Sequence, residues 1–183
     1  MNDLASLMVR RLTHDFAGPV GAITTAIDMG LGDDPELIGL VADGAAGLAA
    51  ALKLYRFIAT PDTGEVSSGT ARTLVADWLA ARGGVELDWP GDAAWPAATA
   101  RLTAGLAMLA TEARARRLTV SEGHVGFDGV LADDIAAVLG GAAATMTRHA
   151  VAGLIAVQAA TTGLTLSAEP GSLRAYQPSA LPR

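Results

Sequence analysis

The segment Leu12-Thr-His-Asp-Phe-Ala-Gly-Pro-Val-Gly-Ala-Ile23 decides the first part of the fold. Apolar residues within and around it recur at steps of three and four, which is the spacing of one face of an α-helix. These residues are Ala5, Met8, Val9, Leu12, Phe16, Val20, Ile23 and Ile27. The pattern predicts one long helix from about residue 3 to about residue 29.

His14 lies away from this apolar stripe. On a helix it points about 170° from the centre of the stripe near Phe16, so we expect its imidazole to face solvent. Gly18 and Gly21 follow on the histidine side, although glycine inside a helix costs about 1 kcal/mol relative to alanine. Small residues there would leave a bare patch on which another protein can approach the imidazole. Pro19 lacks an N–H group and predicts a bend.

Charged residues surround this histidine in the sequence. Arg10 and Arg11 lie one turn before it and can offer positive charge to a phosphoryl group or an acidic partner. Asp15 follows it directly, and a carboxylate there can orient one ring nitrogen and leave the other as a nucleophile. Lys53 is predicted to lie roughly level with residue 11 on the next helix, where it is either a docking contact or a solvated side chain.

A second helix is expected to pair with the first. Asp34 is a suitable N-cap and Pro35 fits the first helical position, so this helix should run from there to about residue 59. Two long helices joined by a short turn form an antiparallel hairpin, and one hairpin cannot cover two apolar stripes. We expect residues 1–59 to dimerise into a four-helix bundle. The predicted centre of that bundle is Phe16, Val20, Ile23, Leu48 and Leu52.

The rest of the chain reads as a second domain after a linker. Residues 60–70, TPDTGEVSSGT, are rich in Gly, Ser, Thr and Pro and predict the linker. Beyond it, the patterns predict helices at 71–82, 97–117, 133–139 and 147–162, and a loop at 90–96. Strands are predicted at VELDW (85–89), LTVSE (118–122), HVGFD (124–128), LTLSA (164–168) and LRAYQ (173–177). The chain is thus expected to be α+β, with an α/β domain at 71–183.

Composition excludes several classes of function. The chain has no cysteine, which removes disulfides, thiolate catalysis and most structural zinc sites. A formal net charge of −6 disfavours nucleic acid as a partner. The single lysine, Lys53, is not in a phosphate-binding loop motif, and the three histidines are too far apart in sequence to suggest a metal centre. No apolar run of the length that a membrane span needs is evident, and the N-terminus is unlike a signal peptide, so we expect a soluble, cytoplasmic protein without a membrane partner.

The order His14-Asp15-x-x-x-Pro19 resembles the phosphoacceptor box of sensor histidine kinases, H-[DE]-x-x-x-P. Together with LKLYRFIAT, residues 52–60, it most resembles the ChpT-type histidine phosphotransferases, which relay phosphoryl groups between a hybrid kinase and response regulators. The resemblance covers most of the chain. It implies a dimeric four-helix bundle that bears the phosphoacceptor His14, followed by a degenerate ATPase-like domain. It also implies receiver domains as partners, with Mg²⁺ supplied by the receiver.

The chain departs from an active kinase in its second domain. The helix predicted there contains no Mg²⁺-holding asparagine, and Glu112 falls near the expected place. Asp128-Gly129-Val130-Leu131 does not match the Asp-x-Gly-x-Gly turn that holds adenine in kinases. Gly140-Gly141 precedes a run of alanines, and no segment that resembles the lid of a kinase ATP site follows it. We therefore expect no ATP binding, no tightly bound cofactor or metal, and no autokinase activity.

Three functions remain open at this point. The first is a phosphotransferase in which His14 accepts a phosphoryl group from one receiver aspartate and passes it to another. The alternative is a non-catalytic dimer that binds and inhibits a kinase or response regulator. The third is an active ATP-dependent kinase, which the missing ATP motifs disfavour. The pair His14-Asp15 favours transfer over inhibition, because inhibition does not require it.

Overall fold

The computed structural model of the chain describes residues 3–30, 32–60 and 63–178. In these ranges the protein is a mixture of helices and sheet. The helices are α1 (Leu4–Asp28), α2 (Pro35–Ala59), α3 (Ser68–Ala80), α4 (Ala97–Glu112), α5 (Asp133–Leu139) and α6 (Ala150–Thr162), with a 3-10 turn at Thr147–His149. The strands are β1 (Glu65–Ser67), β2 (Glu86–Asp88), β3 (Ala94–Pro96), β4 (Arg117–Ser121), β5 (His124–Phe127), β6 (Thr165–Glu169) and β7 (Ser172–Tyr176).

Helices α1 and α2 form the predicted hairpin within one or two residues of the expected bounds. The Asp3 carboxylate caps α1 by accepting from the backbone N–H of Ser6 over 2.7 Å. The Asp34 carboxylate likewise caps α2 by accepting from the N–H of Glu36 over 2.9 Å, directly before Pro35. Helix α1 continues through Pro19 to its end.

The larger sheet has five strands in the order β2-β4-β5-β7-β6. Strands β4 and β5 form the predicted hairpin, with Ser121 opposite His124 and Gly123 in the turn at a φ of 67°. Strand β7 pairs antiparallel with both β5 and β6, whereas β2 pairs parallel with β4. The outer strand β2 therefore reaches the sheet through the helical connection that includes α4.

The hydrophobic core is centred on α4, whose residues 100–110 are all buried. Helix α6 packs closely on it, with Ile155 against Gly105. The C-terminal half of α2 joins the same core through Leu54, Tyr55 and Ile58. The end of the hairpin is thus packed into the cluster that also holds the sheet.

Three boundaries differ from the sequence predictions. The segment 60–70 contains β1 and the start of α3, and the predicted loop 90–96 contains β3. These short strands pair with each other, with Val66 opposite Trp95. Such pairing is non-local and leaves little trace in a stretch rich in Gly, Ser and Pro. Helix α4 ends at Glu112 and not near residue 117, because Arg117 already belongs to β4.

The predicted apolar stripe of α1 is covered only in part, because Met8, Leu12 and Phe16 pack against the core while other members do not. Leu7 and Ala26 are the buried residues of this helix, whereas Val9, Val20 and Ile27 are exposed. Leu4 lies against Gly153 of α6, so the first turns of α1 pack on the C-terminal elements. Ile23, predicted at the centre of a bundle between two hairpins, packs inside its own hairpin beside Gly44.

Helix α2 corrects the expectation that the chain has no apolar run of membrane-spanning length. Among the described residues it is the one helix that meets that length and composition, with a mean hydropathy of 1.7 over its most apolar window. Length and composition are shared by membrane spans and by core helices of bundles. Leu54, Tyr55 and Ile58 near its end are buried against protein.

Candidate functional site

The imidazole of His14 projects from α1 into solvent, as the helical spacing predicts. Its side chain is 81% exposed. Ring nitrogen Nδ1 lies 3.3 Å from Oδ1 of Asp15, the next residue along the helix. The exposed ring is therefore oriented by one neighbouring carboxylate oxygen.

The Asp15 carboxylate is held far more firmly than the imidazole beside it. Its side chain is only 4% exposed. Oδ2 accepts from the hydroxyl of Tyr55 over 2.5 Å and from Nε of Arg11 over 3.1 Å. Burial alone would raise the pKa of this carboxyl, but the Tyr55 hydrogen bond and the Arg11 charge outweigh it and hold the pKa below its usual value. Asp15 is thus a fixed, ionised carboxylate at neutral pH.

Helical periodicity explains how Arg11 and Asp15 come together. Leu7, Arg11 and Asp15 are spaced by four residues and share one face of α1. Leu7 is buried, which turns this face towards the rest of the protein. Tyr55 reaches Asp15 from the buried face of α2. The orientation of the hairpin in the fold therefore places these groups.

Arg11 links the hairpin to the end of α4. Its Nη2 donates to Oε1 of Glu112 over 2.5 Å while its Nε binds Asp15. Burial would lower the pKa of this guanidinium, but the Glu112 charge and other neighbours raise it. Both ends of the guanidinium are engaged by protein carboxylates, so Arg11 holds Asp15 in place more than it offers a free cation.

A second arginine reaches Asp15 from the other side. Nη2 of Arg82 lies 3.6 Å from Oδ2 of Asp15, and its guanidinium stacks over the ring of Trp78 with Cζ 4.1 Å from the ring centroid. Gly83 and Gly84 follow in left-handed conformations, with φ of 70° and 78°. Only glycine adopts such angles without strain, and the turn leaves Arg82 at the edge of a cleft.

This cleft joins His14 to the C-terminal elements and has a volume of about 630 Å³. We call it the His14 cleft. Its ionisable lining residues are His14, Asp15, Arg11, Arg82, Arg114, Arg116 and Glu112. Four arginines against two carboxylates give this part of an acidic protein a local positive balance, which suits an anionic group.

The other predicted contact residues fall in two places. Gly18 and Gly21 lie on the exposed surface of α1, and a Cβ built at either position meets nothing within 4 Å. Arg10 is also exposed. Lys53, by contrast, lines two surface depressions between α2 and α3, beside Asp77 and beside Arg101, and not the His14 cleft. Counting along the hairpin estimates the height of Lys53 but not the side of α2 on which its side chain lies.

The two remaining histidines are bound to C-terminal side chains. His149 is buried, with Nε2 2.7 Å from Oδ2 of Asp134. His124 is half-buried, with Nε2 3.1 Å from Oγ of Ser172. The paired strand β7 lies beside it and partly covers it. Of the three imidazoles, His14 is the exposed one.

The described residues contain no cluster of three or more His, Asp or Glu side chains that could hold a metal ion. Asp128, in the turn compared above with the adenine-binding turn of kinases, caps the start of β4. Its Oδ1 accepts from the backbone N–H groups of Arg116 and Arg117 over 2.8 and 3.0 Å. Backbone hydrogen bonds of this kind lower the pKa of the Asp128 carboxyl.

Sequence reasoning missed three contributors to this site. Tyr55 was considered only as part of the stretch LKLYRFIAT, and Glu112 only as the residue near the kinase asparagine position. Arg82 was overlooked. Its sequence signal is an arginine at the end of a helix directly before Gly83-Gly84, which is a common arrangement in a turn. Only the packing of α3 against α1 and α2 reveals that this turn borders His14.

No protein-family model matches the sequence, and no curated protein matches it significantly. Solved structures do resemble it. A structure described as that of a bacterial phosphotransferase superposes with a TM-score of 0.73 and covers 93% of this chain and 93% of its own. The two sequences are 18% identical. At that identity the similarity shows that the whole α+β fold is shared, hairpin and sheet together.

Proposed function

We propose that this protein is a histidine phosphotransferase that relays a phosphoryl group between receiver-domain aspartates through phosphohistidine at His14. The observation that carries the proposal is the contrast between two adjacent residues. His14 is open to a partner protein, while Asp15 beside it is buried, ionised and fixed by Tyr55 and Arg11. The shared fold with a protein described as a bacterial phosphotransferase supports it.

The geometry suits the imidazole to nucleophilic attack. Because Asp15 is ionised, its Oδ1 can only accept, so the Nδ1 atom of His14 must carry the proton between them. That tautomer leaves an unprotonated lone pair on Nε2, which is the ring nitrogen further from Asp15. The carboxylate thus assigns one nitrogen as proton carrier and the other as nucleophile.

In the transfer step, the Nε2 lone pair forms a bond to phosphorus while the P–O bond of the receiver's aspartyl phosphate breaks. The electron pair of that bond returns to the receiver's carboxylate. The proton on Nδ1 stays with His14, and the negative charge of Asp15 offsets the positive charge that develops on the ring. The reverse step delivers the group to a second receiver. Positioning and charge neutralisation carry such a transfer, and the receiver's acidic pocket and Mg²⁺ supply part of both.

Nucleotide is not part of the proposed reaction. The position near the kinase asparagine is held by Glu112, which binds Arg11, and Asp128 is engaged in capping β4. Gly105 on α4 is covered by Ile155. On this proposal the C-terminal elements serve to position the hairpin and to line the His14 cleft.

On this proposal the protein forms a homodimer through its α1–α2 hairpin. Val9, Val20 and Ile27 on α1, with Leu52 on α2, present apolar surface that a single chain leaves exposed. Pairing two hairpins would cover it and form a four-helix bundle. His14 would remain on the outside, where Gly18 and Gly21 leave room for a receiver domain.

The direct test is transfer from a receiver domain that has been labelled with radioactive acetyl phosphate. The full chain should acquire acid-labile, alkali-stable label while the receiver loses it. If the chain binds the labelled receiver but takes up no label, the proposed transfer is wrong and the protein is a non-catalytic binding module. Labelling from ATP in the absence of a receiver would instead identify a kinase.

A further inference from the structure

Arg82 and Arg11 differ in how closely protein carboxylates contact their guanidinium N–H groups. Arg11 makes two short contacts with carboxylates, at 3.1 and 2.5 Å. The contact from Arg82 to Asp15, at 3.6 Å, exceeds the length of a normal hydrogen bond. The guanidinium is instead held by the face of Trp78, and stacking of this kind fixes its plane without occupying its N–H donors.

The position of Arg82 is set by groups that cannot move easily. Trp78 is buried at the end of α3, and the Gly83-Gly84 turn begins directly after Arg82. The side chain remains 36% exposed and borders the His14 cleft. Burial lowers the pKa of this guanidinium, and the Asp15 charge counters that effect. A prepositioned, partly desolvated cation of this kind binds an oxyanion strongly.

Arg82 and His14 both face the Asp15 carboxylate. One of its oxygens faces Nδ1 of His14 and the other faces Nη2 of Arg82. The two side chains therefore flank a single carboxylate group and open into the same cleft. A phosphoryl group on Nε2 of His14 would extend from a ring that lines this cleft, and the guanidinium of Arg82 lines the same cleft.

We infer that Arg82 binds the phosphoryl oxygens of phosphorylated His14, so that the part of the chain beyond the hairpin contributes a phosphoryl-binding residue to the hairpin's histidine. The inference rests on the proposed phosphotransfer. It assigns Arg82 to the transferred group and Arg11 to the positioning of Asp15. Arg82 would neutralise charge on the phosphoryl group as the receiver's own cations withdraw.

The test uses the full chain and phosphoramidate, a small phosphoryl donor that needs no partner protein. The wild type, Arg82→Gln, Arg82→Lys and the control Arg72→Gln are each labelled, and phosphorus NMR follows the phosphohistidine signal as a function of pH. Arg72 lies on the same segment, but its guanidinium faces Gly91. Asp15 keeps its hydrogen bonds with Tyr55 and Arg11 in every variant, so the fold should persist.

A cation beside an acid typically lowers its pKa by about 1–3 units. We therefore expect the phosphoryl group on His14 to titrate about 1 unit higher in Arg82→Gln than in the wild type, with Arg82→Lys between them. The labelling rate should fall about tenfold or more in Arg82→Gln. Arg72→Gln should match the wild type in both respects.

Three results would contradict the inference. If His14 is labelled but the phosphoryl titration is the same in Arg82→Gln, then Arg82 does not contact the group. If Arg72→Gln shifts the titration equally, the effect is a general loss of positive charge. If phosphoramidate leaves wild-type His14 unlabelled, the proposed function fails and this inference fails with it.

Discussion

Tyr55 donates its hydroxyl to Oδ2 of Asp15 over 2.5 Å, across 40 positions of sequence. The contact fastens α2 to α1 one residue from the exposed His14. Tyr55 is buried, and burial together with the Asp15 hydrogen bond raises the pKa of its phenol, so its hydroxyl is protonated and donates at neutral pH. The orientation of the exposed His14 imidazole thus depends on a buried hydroxyl of another helix.

Replacing Tyr55 with Phe removes this donor and keeps the ring. We expect the free energy of unfolding to fall by about 1–3 kcal/mol, because a buried carboxylate loses one hydrogen bond while Arg11 remains. Phosphotransfer should slow as Asp15 gains freedom. Urea unfolding and transfer from a labelled receiver measure the two effects. Tyr176→Phe, at an exposed tyrosine, is the control, and equal losses in both variants would contradict the role given to Tyr55.

Asp15→Asn tests the carboxylate itself. An amide can still approach Nδ1, but it lacks the charge that holds the proton there and offsets the ring. We expect transfer to slow by about 10²–10⁴-fold, the usual contribution of acid–base assistance. Asp43→Asn, at an exposed position of α2, is the matched control and should transfer at the wild-type rate. An unchanged rate in Asp15→Asn would leave the carboxylate a structural role only.

The same carboxylate should shape the acid stability of the protein. The pKa of Asp15 is lower in the folded protein than its unfolded value of about 3.9, so its contribution is complete above that value and is lost as the pH falls through the folded pKa. The stability difference between the wild type and Asp15→Asn should therefore shrink as the pH falls from 6 to about 2. Urea midpoints across this range measure it, and a constant difference would contradict the assigned pKa direction.

The exposed apolar face of the hairpin predicts a dimer. Light scattering should give about twice the chain mass of 18.5 kDa. Val20 and Leu52 are 47% and 56% exposed, so Val20→Glu and Leu52→Glu should produce folded monomers with an unchanged helical signal. Val157→Glu, at an equally exposed valine of α6, should remain dimeric. A wild-type monomer at high concentration would contradict the prediction.

Local patterns predicted most of the fold. Helices α1 and α2 have strong periodicity and clear caps at Asp34 and Pro35, and the β4–β5 hairpin has its turn glycine at Gly123. The sequence did not reveal the pairing of β1 with β3, because three-residue strands depend on a partner far along the chain. The predicted stripe of α1 was right for Met8, Leu12 and Phe16, which pack against the core, but Val9, Val20 and Ile27 are exposed.

The sequence predicted only the part of the candidate site that is formed by residues close together in the chain. His14, Asp15 and Arg11 lie within one helical turn, and their spacing gave both the exposed ring and the adjacent charges. Three other parts of the chain contribute Tyr55, Arg82 and Glu112. No spacing rule relates these residues to residue 14. Lys53 was assigned to the site by counting along the hairpin, which fixes the height of a residue but not the side of the helix on which it lies.

Phosphotransfer through His14 is tested by locating the label on the chain after incubation with a phosphorylated receiver domain. We expect acid-labile label on the wild type and on His124→Ala, and none on His14→Ala, which should stay folded because the ring is not packed. Fragmentation of the labelled chain should place the phosphoryl group on the His14 peptide. Label that persists on folded His14→Ala, or that maps to another residue, would contradict the account.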